Sequence, residues 1–293
     1  QLYTFVTPHA HSEEKSTQLM AMSDMQRDGS HPDKFREIVE DGIIPIIFSE
    51  IGPSINNLEA VMIPGDLVVT GGNYLQWKDH FFNPSDSLFS YVPLYPVPGN
   101  HEYSGGGLPN FIKYFTLPEN GATGLEEQCW YKDISNIRII GLNSNSGIAD
   151  KTLQLDWLSE VLDSTCSAQH IDFVFAQLHH PYKSELWTPG ESSFTGMVID
   201  SLESFSSACT KPSIHFFGHT HGYSRGQSRD HKHLWINVAT AGGAIDNWGE
   251  FPNADYDEFV KSQDEYGFVM LDVQAGIDPQ FTLKRYSRGD QDT

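Results

Sequence analysis

Asp24, Asp66, Asn100, His179, His219 and His221 have the types and spacing of a metal-ligand set. The two aspartates are hard anionic oxygen donors, and the three histidines offer borderline nitrogens. Together they suit Zn, Mn or Fe better than Mg or Ca. Asp66 has two carboxylate oxygens and can bridge two cations about 3.5–4 Å apart, the usual spacing of a two-metal site. His219 and His221, two residues apart on a strand or tight turn, point the same way. Glycines precede Asp66, Asn100 and His219, which lets the backbone turn sharply and come close to a metal. Each piece alone has a plain structural reading. Gly-Asp after a strand is usually a turn, Asn100 suits a turn, and a His-x-His pair often sits in a core or on a surface. All of them in order, each behind an apolar run, is very hard to obtain by accident.

Those apolar runs are the elements that must position the set. Residues 18–23, 60–64, 94–98, 137–143, 171–178, 213–217 and 234–239 each read as a short strand buried on both faces, and 267–273 and 281–286 add two more. A helix starts at the cap Ser30-His31-Pro32-Asp33 and runs to about residue 40. A second lies within 151–162, where Leu153, Trp157, Leu158, Val161 and Leu162 share one face, and a third spans 196–208. Residues 43–57 are apolar with no clear period. Strands alternating with helices predict a layered α/β sandwich in a single domain, residues 1–293. The candidate ligands fall at carboxyl ends of strands, where open α/β sheets bind ligands.

The chain has 293 residues, with 39 Asp and Glu against 18 Lys and Arg, a formal charge of −21. That field repels nucleic-acid backbones, so duplex DNA or RNA is not an expected partner. A small phosphorylated substrate remains compatible, because bound cations reverse the potential locally. No apolar run is long enough to predict a transmembrane segment. The chain opens on Gln1, which fits either a removed leader or a trimmed chain, and a secreted or periplasmic location is the expectation. Of three cysteines, Cys166 and Cys209 each end a predicted helix. A bridge and two buried thiols are equally compatible with the sequence.

The series Asp24, Gly65-Asp66, Gly99-Asn100-His101-Glu102, His179 and Gly218-His219-Thr220-His221 resembles the calcineurin-like metallophosphoesterase superfamily. Within it, the run from His219 to Arg225 is similar to the His-x-His-x-Tyr-x-Arg signature of the purple-acid-phosphatase branch. Cys129-Trp130-Tyr131 stands where that branch opens a strand with an aromatic pair, and His179-x-Pro181 keeps its histidine spacing. The resemblance implies a four-layer sandwich of two mixed β-sheets flanked by helices. It implies two metal ions, with Asp66 bridging, Asp24 and His221 on the first, and Asn100, His179 and His219 on the second. It also implies hydrolysis of phosphate mono- or diesters by a metal-activated water, with His101 protonating the leaving oxygen and Arg225 helping to hold the phosphoryl oxygens. Glu102 is read either as orienting His101 or as a solvated turn residue, and His180 as a structural or substrate-side histidine.

Two positions depart from the pattern. Most of the superfamily has a histidine where Gln26 stands, and the purple acid phosphatases have a tyrosine where Val69 stands. No tyrosinate can colour a ferric ion through Val69. Gln26 either coordinates through its amide oxygen or bonds a metal-bound water, and the expectation is a weaker or exchangeable first site. Segments 71–91, 103–110, 183–194, 223–233 and 243–259 are read as pocket loops carrying Trp77, Trp187 and Trp248. These tryptophans are either a platform for the organic half of an ester or anchors that pin the loops. Two alternatives stand beside the main reading: a nucleotide or lipid-headgroup phosphodiesterase, and a catalytically weak metal- or phosphate-binding protein. Oligomeric state is not set by the sequence.

Overall fold

Short apolar runs of β-branched and aromatic residues favour a pleated surface covered on both sides. In the computed structural model, which describes residues 5–10 and 13–292, they form two mixed sheets. The first has the order β12-β11-β1-β2-β3. Here β1 (Thr17–Ala21), β2 (Ala60–Ile63) and β3 (Leu94–Pro96) are parallel, while β11 (Gly267–Gln274) and β12 (Gln280–Ser287) close one side antiparallel. The second has the order β10-β8-β9-β7-β6-β5-β4. Its parallel centre is β5 (Ile137–Gly141), β6 (Phe173–Gln177), β7 (Ser213–Phe217) and β9 (His233–Val238). Antiparallel β4 (Trp130–Ile134), β8 (Tyr223–Gln227) and β10 (Phe259–Gln263) extend it.

Side-chain alternation assigns the layers. On β6, Phe173 and Phe175 face the first sheet and meet Phe281 of β12 edge-on, whereas Val174 and Ala176 face outward. There they join Trp157, Leu158, Val161 and Leu162 of the helix Ile148–Ser167 and Val198, Leu202 and Phe205 of the helix Ser193–Cys209. A disulfide joins Cys166 to Cys209 near the ends of these two helices, and Cys129 is free and buried. The helical stretches 34–51 and 74–89 pack Phe35, Ile38, Ile47, Trp77 and Phe81 onto the core that the first sheet shares. The result is the expected four-layer sandwich.

Four segments differ from their sequence reading, one of them being 103–110, read as a pocket loop but helical apart from Gly107. Residues 43–57, apolar with no clear period in the sequence, continue the helix begun at Lys34 through wide π-helical turns at Ile38–Ile43 and Ile47–Ile51, then a 3₁₀ turn at Ile55–Asn57. Segment 71–91 is not a pocket loop but largely helix. Its Trp77 is fully buried with Nε1 donating to the Gly71 carbonyl, so this tryptophan anchors the element and does not face a pocket. Segment 223–233 begins as strand β8 (Tyr223–Gln227), hydrogen-bonded to β9 and β10, before the turn into β9. No helix among the described residues is long and apolar enough to cross a membrane.

Candidate metal centre

The carboxyl ends of β1, β2 and β3 in one sheet and of β6 and β7 in the other meet at one rim. The turns that follow are tied together through the backbone. Asp24 N–H donates to Gly65 O at 3.2 Å, Met25 N–H to Asp66 O at 3.0 Å and Gly218 N–H to His179 O at 2.9 Å. Asp24, Asp66 and His219 sit in left-handed backbone at φ 58°, 56° and 72°. That conformation costs a non-glycine residue about 1–3 kcal/mol, and it persists only where the surroundings over-determine it. Gly99 and Gly218 are needed for a plainer reason. A Cβ at Gly99 would lie 2.1 Å from Asp66 Oδ1, and one at Gly218 2.3 Å from Asp24 Oδ2.

Around this rim, donor atoms converge in two groups that share Asp66: Asp66, His179 and His219 form one, and Asp24, Asp66 and His221 the other. In the first, His179 Nδ1 faces the Pro64 carbonyl at 2.9 Å, which can only accept, so Nδ1 carries the hydrogen. The Nε2 of His179 then stands 3.1 Å from Asp66 Oδ2, 2.9 Å from Asn100 Oδ1 and 3.1 Å from His219 Nδ1. Four acceptor atoms directed at one another need a proton or a cation between them. In the second group, His221 Nδ1 is held by the Ala244 carbonyl, leaving Nε2 3.2 Å from Asp24 Oδ1 and 2.9 Å from Gln26 Nε2. The Gln26 side chain is buried and its Oε1 has no partner. These donors fit a pair of cations.

The protonation of the cation-free cluster points the same way. Burial disfavours charge on His179, but the charge and hydrogen bond of Asp66 outweigh it and hold the imidazole up at about 9. His221 is likewise lifted to about 9 against burial by its hydrogen bond to Asp24, and Asp24, despite burial, is held below the usual carboxylate range by His221 and His179. Burial and the charge on His179 push His219 down to about 4. Protons therefore occupy the places that cations would take, and binding a cation must release them.

His101, in the short helix Asn100–Tyr103, stands at the edge of this cluster, partly exposed. Its Nδ1–H donates to the Val69 carbonyl at 2.6 Å, and its Nε2 lies 3.8 Å from Asp66 Oδ2. Glu102 neither orients His101 nor faces solvent. It is fully buried and accepts from the backbone N–H of Asp66 (2.8 Å), Leu67 (2.9 Å) and Gly99 (2.8 Å), clamping two ligand-bearing turns together. Burial and then the Asp66 charge push its carboxyl up to about 7.

The remaining sequence candidates separate. His180 bonds Ser144 Oγ at 2.8 Å and lies with its ring centroid 4.3 Å from that of His219. Burial, with His179 and His219 nearby, pushes it down to about 2, so it stays neutral. Trp187 packs on His219 at 5.3 Å between ring centroids. Trp248 is half exposed, with its backbone N–H on Asp264. Arg225 is exposed on β8, where Ile236 of β9 and Lys261 of β10 are its cross-strand neighbours. Neither Trp248 nor Arg225 has a hydrogen bond or ring contact to the donor cluster among the described residues. Sequence reading missed Asp246, whose Oδ2 accepts from His221 N–H at 2.7 Å, and Ser23, whose hydroxyl donates to Asp24 Oδ2 at 2.5 Å. Ser23 adjoins a candidate ligand in the chain, but nothing in the sequence brings Asp246 to His221.

A sequence profile described as calcineurin-like phosphoesterase matches residues 17–223. A search of curated proteins finds no match. Among solved structures, the fold is similar to purple acid phosphatase PPD1 from yellow lupin (Lupinus luteus) seeds, with TM-score 0.72 and 16% identity over 98% of this chain and 55% of that one. This chain thus spans about half the length of the lupin protein. It is also similar to GAP50, the anchor in the inner membrane complex of Plasmodium, with TM-score 0.68 and 12% identity over 93% of this chain and 85% of that one. A third likeness is to PhoD, with TM-score 0.61 and 9% identity over 99% and 73% of the two chains.

Proposed function

Because the chain belongs to the calcineurin-like phosphoesterase family, we propose that it hydrolyses phosphate esters at a dinuclear centre with Asp66 as the shared ligand. The observation that carries this reading is the pair of convergent donor groups with Asp66 in common. Asp24, His221 and Gln26 would complete the first position, and Asn100, His179 and His219 the second. Zn, Mn or Fe match that mixture of nitrogen and oxygen donors. When bound, such ions polarise phosphoryl oxygens and make water a better nucleophile at neutral pH.

The protein's own groups do the rest. With Nδ1–H fixed on the Val69 carbonyl, His101 presents Nε2 at the mouth of the cluster, where the imidazolium form can hand its Nε2 proton to a departing alkoxide and be left as the neutral Nδ1–H tautomer. Trp187 beside His219 offers an apolar face to the organic half of the ester. The Cys166–Cys209 bridge supports an oxidising location, secreted or periplasmic. Gln26 favours a second reading, a weakly active phosphate-binding protein, against which the oriented His101 counts.

The test is a panel of nitrophenyl mono- and diesters, nucleotides and lipid-headgroup esters, assayed after chelation and again with Zn, Mn or Fe restored. Chelation should abolish turnover and at least one metal should restore it. Absence of turnover with every metal would overturn the hydrolase reading, and the ratio of mono- to diester rates assigns the substrate class.

A further inference from the structure

Next to the donor cluster lies a cleft of about 230 Å³, between the turn after β1, the helix begun at Lys34 and the helical stretch 74–89. That is smaller than the roughly 300–1,000 Å³ that holds a drug-sized ligand whole, so it fits one end of a larger molecule. Met25 and Gly242 line it, and their turns are the ones that build the cluster. Met25 N–H donates to Asp66 O at 3.0 Å, and Gly243 N–H to Asp24 O at 2.8 Å. Arg27, on the same cleft, follows Asp24 by three residues, which limits the separation of their Cα atoms to about 11 Å.

Two arginines, Arg27 and Arg36, line the cleft. Asp and Glu outnumber Lys and Arg by 39 to 18 in this chain, yet neither arginine has a carboxylate within 4 Å among the described residues. Arg27 Nη1 instead stands 3.4 Å from His80 Nε2. A guanidinium can only donate, so Nε2 accepts and Nδ1 carries the ring hydrogen, which has no acceptor. Burial, then the Arg27 charge, hold His80 below its usual range and keep the ring neutral. Asp33 and Asp79 also line the cleft, with Asp79 3.9 Å from Lys78 Nζ and accepting from Asn83 Nδ2 at 3.1 Å. These carboxylates limit the cleft to a single anionic group. Phosphate and carboxylate oxygens are the bidentate partners of a guanidinium.

Resting on the phosphoesterase reading above, we propose that this cleft is a second anion subsite of the same centre. The substrate is a phosphate ester whose organic half carries a further phosphate or carboxylate, held by Arg27 and Arg36 while the scissile group lies on the donor cluster.

The probes are alkanediol bisphosphates and ω-carboxyalkyl phosphates of graded spacer length, each compared with the alkyl monophosphate of equal length on the metal-loaded full chain. The acidic surface alone would disfavour the more highly charged ester. The subsite should reverse this, raising kcat/KM about tenfold or more over the monophosphate, through KM, at one spacer length. Whichever series gains more assigns the second group as phosphate or carboxylate. Arg27→Ala and Arg36→Ala should each lower that ratio by about tenfold, and Arg27→Lys, which keeps charge without the planar fork, should lower it less. Calorimetry of chelator-stripped protein with the best probe adds a readout independent of turnover, and its binding should weaken in both alanine variants. A ratio of one or less at every length, or a ratio that neither alanine moves, would overturn the subsite. Binding that depends on the arginines, with no turnover of any ester, would overturn the hydrolase reading and leave the subsite standing.

Discussion

His101 shows how a residue's role is set by what holds it. Its Nδ1–H is fixed by the Val69 carbonyl, and its Nε2 is near the cluster without joining either donor group. A proton donor in that position matters only when the leaving oxygen needs a proton. His101→Ala should therefore slow alkyl phosphate cleavage by about 10²- to 10⁴-fold while slowing nitrophenyl ester cleavage far less. Steady-state kcat across a series of leaving groups measures this, and an equal loss for all of them contradicts the acid role. At this scale the candidate ligands were legible because they follow short apolar runs bounded by turn residues, the pattern of a buried strand. Glu102 and Asp246 were not. Glu102 acts on Asp66 and Leu67, more than 30 positions away, and Asp246 on His221, 25 away. Nothing local distinguishes a carboxylate that receives backbone N–H groups across such distances from one in a solvated turn.

Among the elements, legibility followed periodicity. The helix Ile148–Ser167 repeats its apolar residues at α-helical spacing and was read within a few residues of its ends. The stretch 34–51 is read from sequence only to about residue 40: its buried residues Phe35, Ile38, Val39, Gly42, Ile43 and Ile47 keep helical spacing, but Gly42 and Pro45 are residues that ordinarily end a helix. Segment 74–89, read as part of a pocket loop, likewise buries Trp77, Phe81, Pro84 and Leu88 at helical spacing. The link between the helices Ile148–Ser167 and Ser193–Cys209 makes a further prediction. Cys166 and Cys209 are separated by 43 positions, and closing a loop of that length removes enough unfolded-state entropy to stabilise by about 4 kcal/mol. The double substitution Cys166→Ala, Cys209→Ala should lower the thermal midpoint by about 6 °C, at roughly 1.6 °C per kcal/mol for a chain of this size. Calorimetry showing an unchanged midpoint would mean that the bridge does not stabilise the fold by constraining the unfolded chain. Metal affinity should change little, since the bridge lies at the far ends of helices that do not carry ligands.

For the whole molecule, the site exists only because two sheets end at one rim. Asp24, Asp66 and Asn100 come from one and His179, His219 and His221 from the other, so neither sheet alone holds a complete donor group. The same whole carries a formal charge of −21, which opposes the approach of any phosphate ester. Cations in the centre offset this only locally, while the surrounding surface repels over a distance set by salt. The Debye length falls from about 30 Å at 0.01 M to about 8 Å at 0.15 M ionic strength, shorter than a protein of this size is wide. Added NaCl should therefore raise kcat/KM for a dianionic phosphate monoester, mainly by lowering KM, with a smaller rise for a monoanionic diester. Chemistry at the centre, and with it kcat, should stay nearly constant, because ligands buried at a rim are little screened. Rates measured at constant metal loading across that salt range test this. A kcat/KM that falls with salt would show that the loaded centre, and not the acidic surface, governs how substrate arrives.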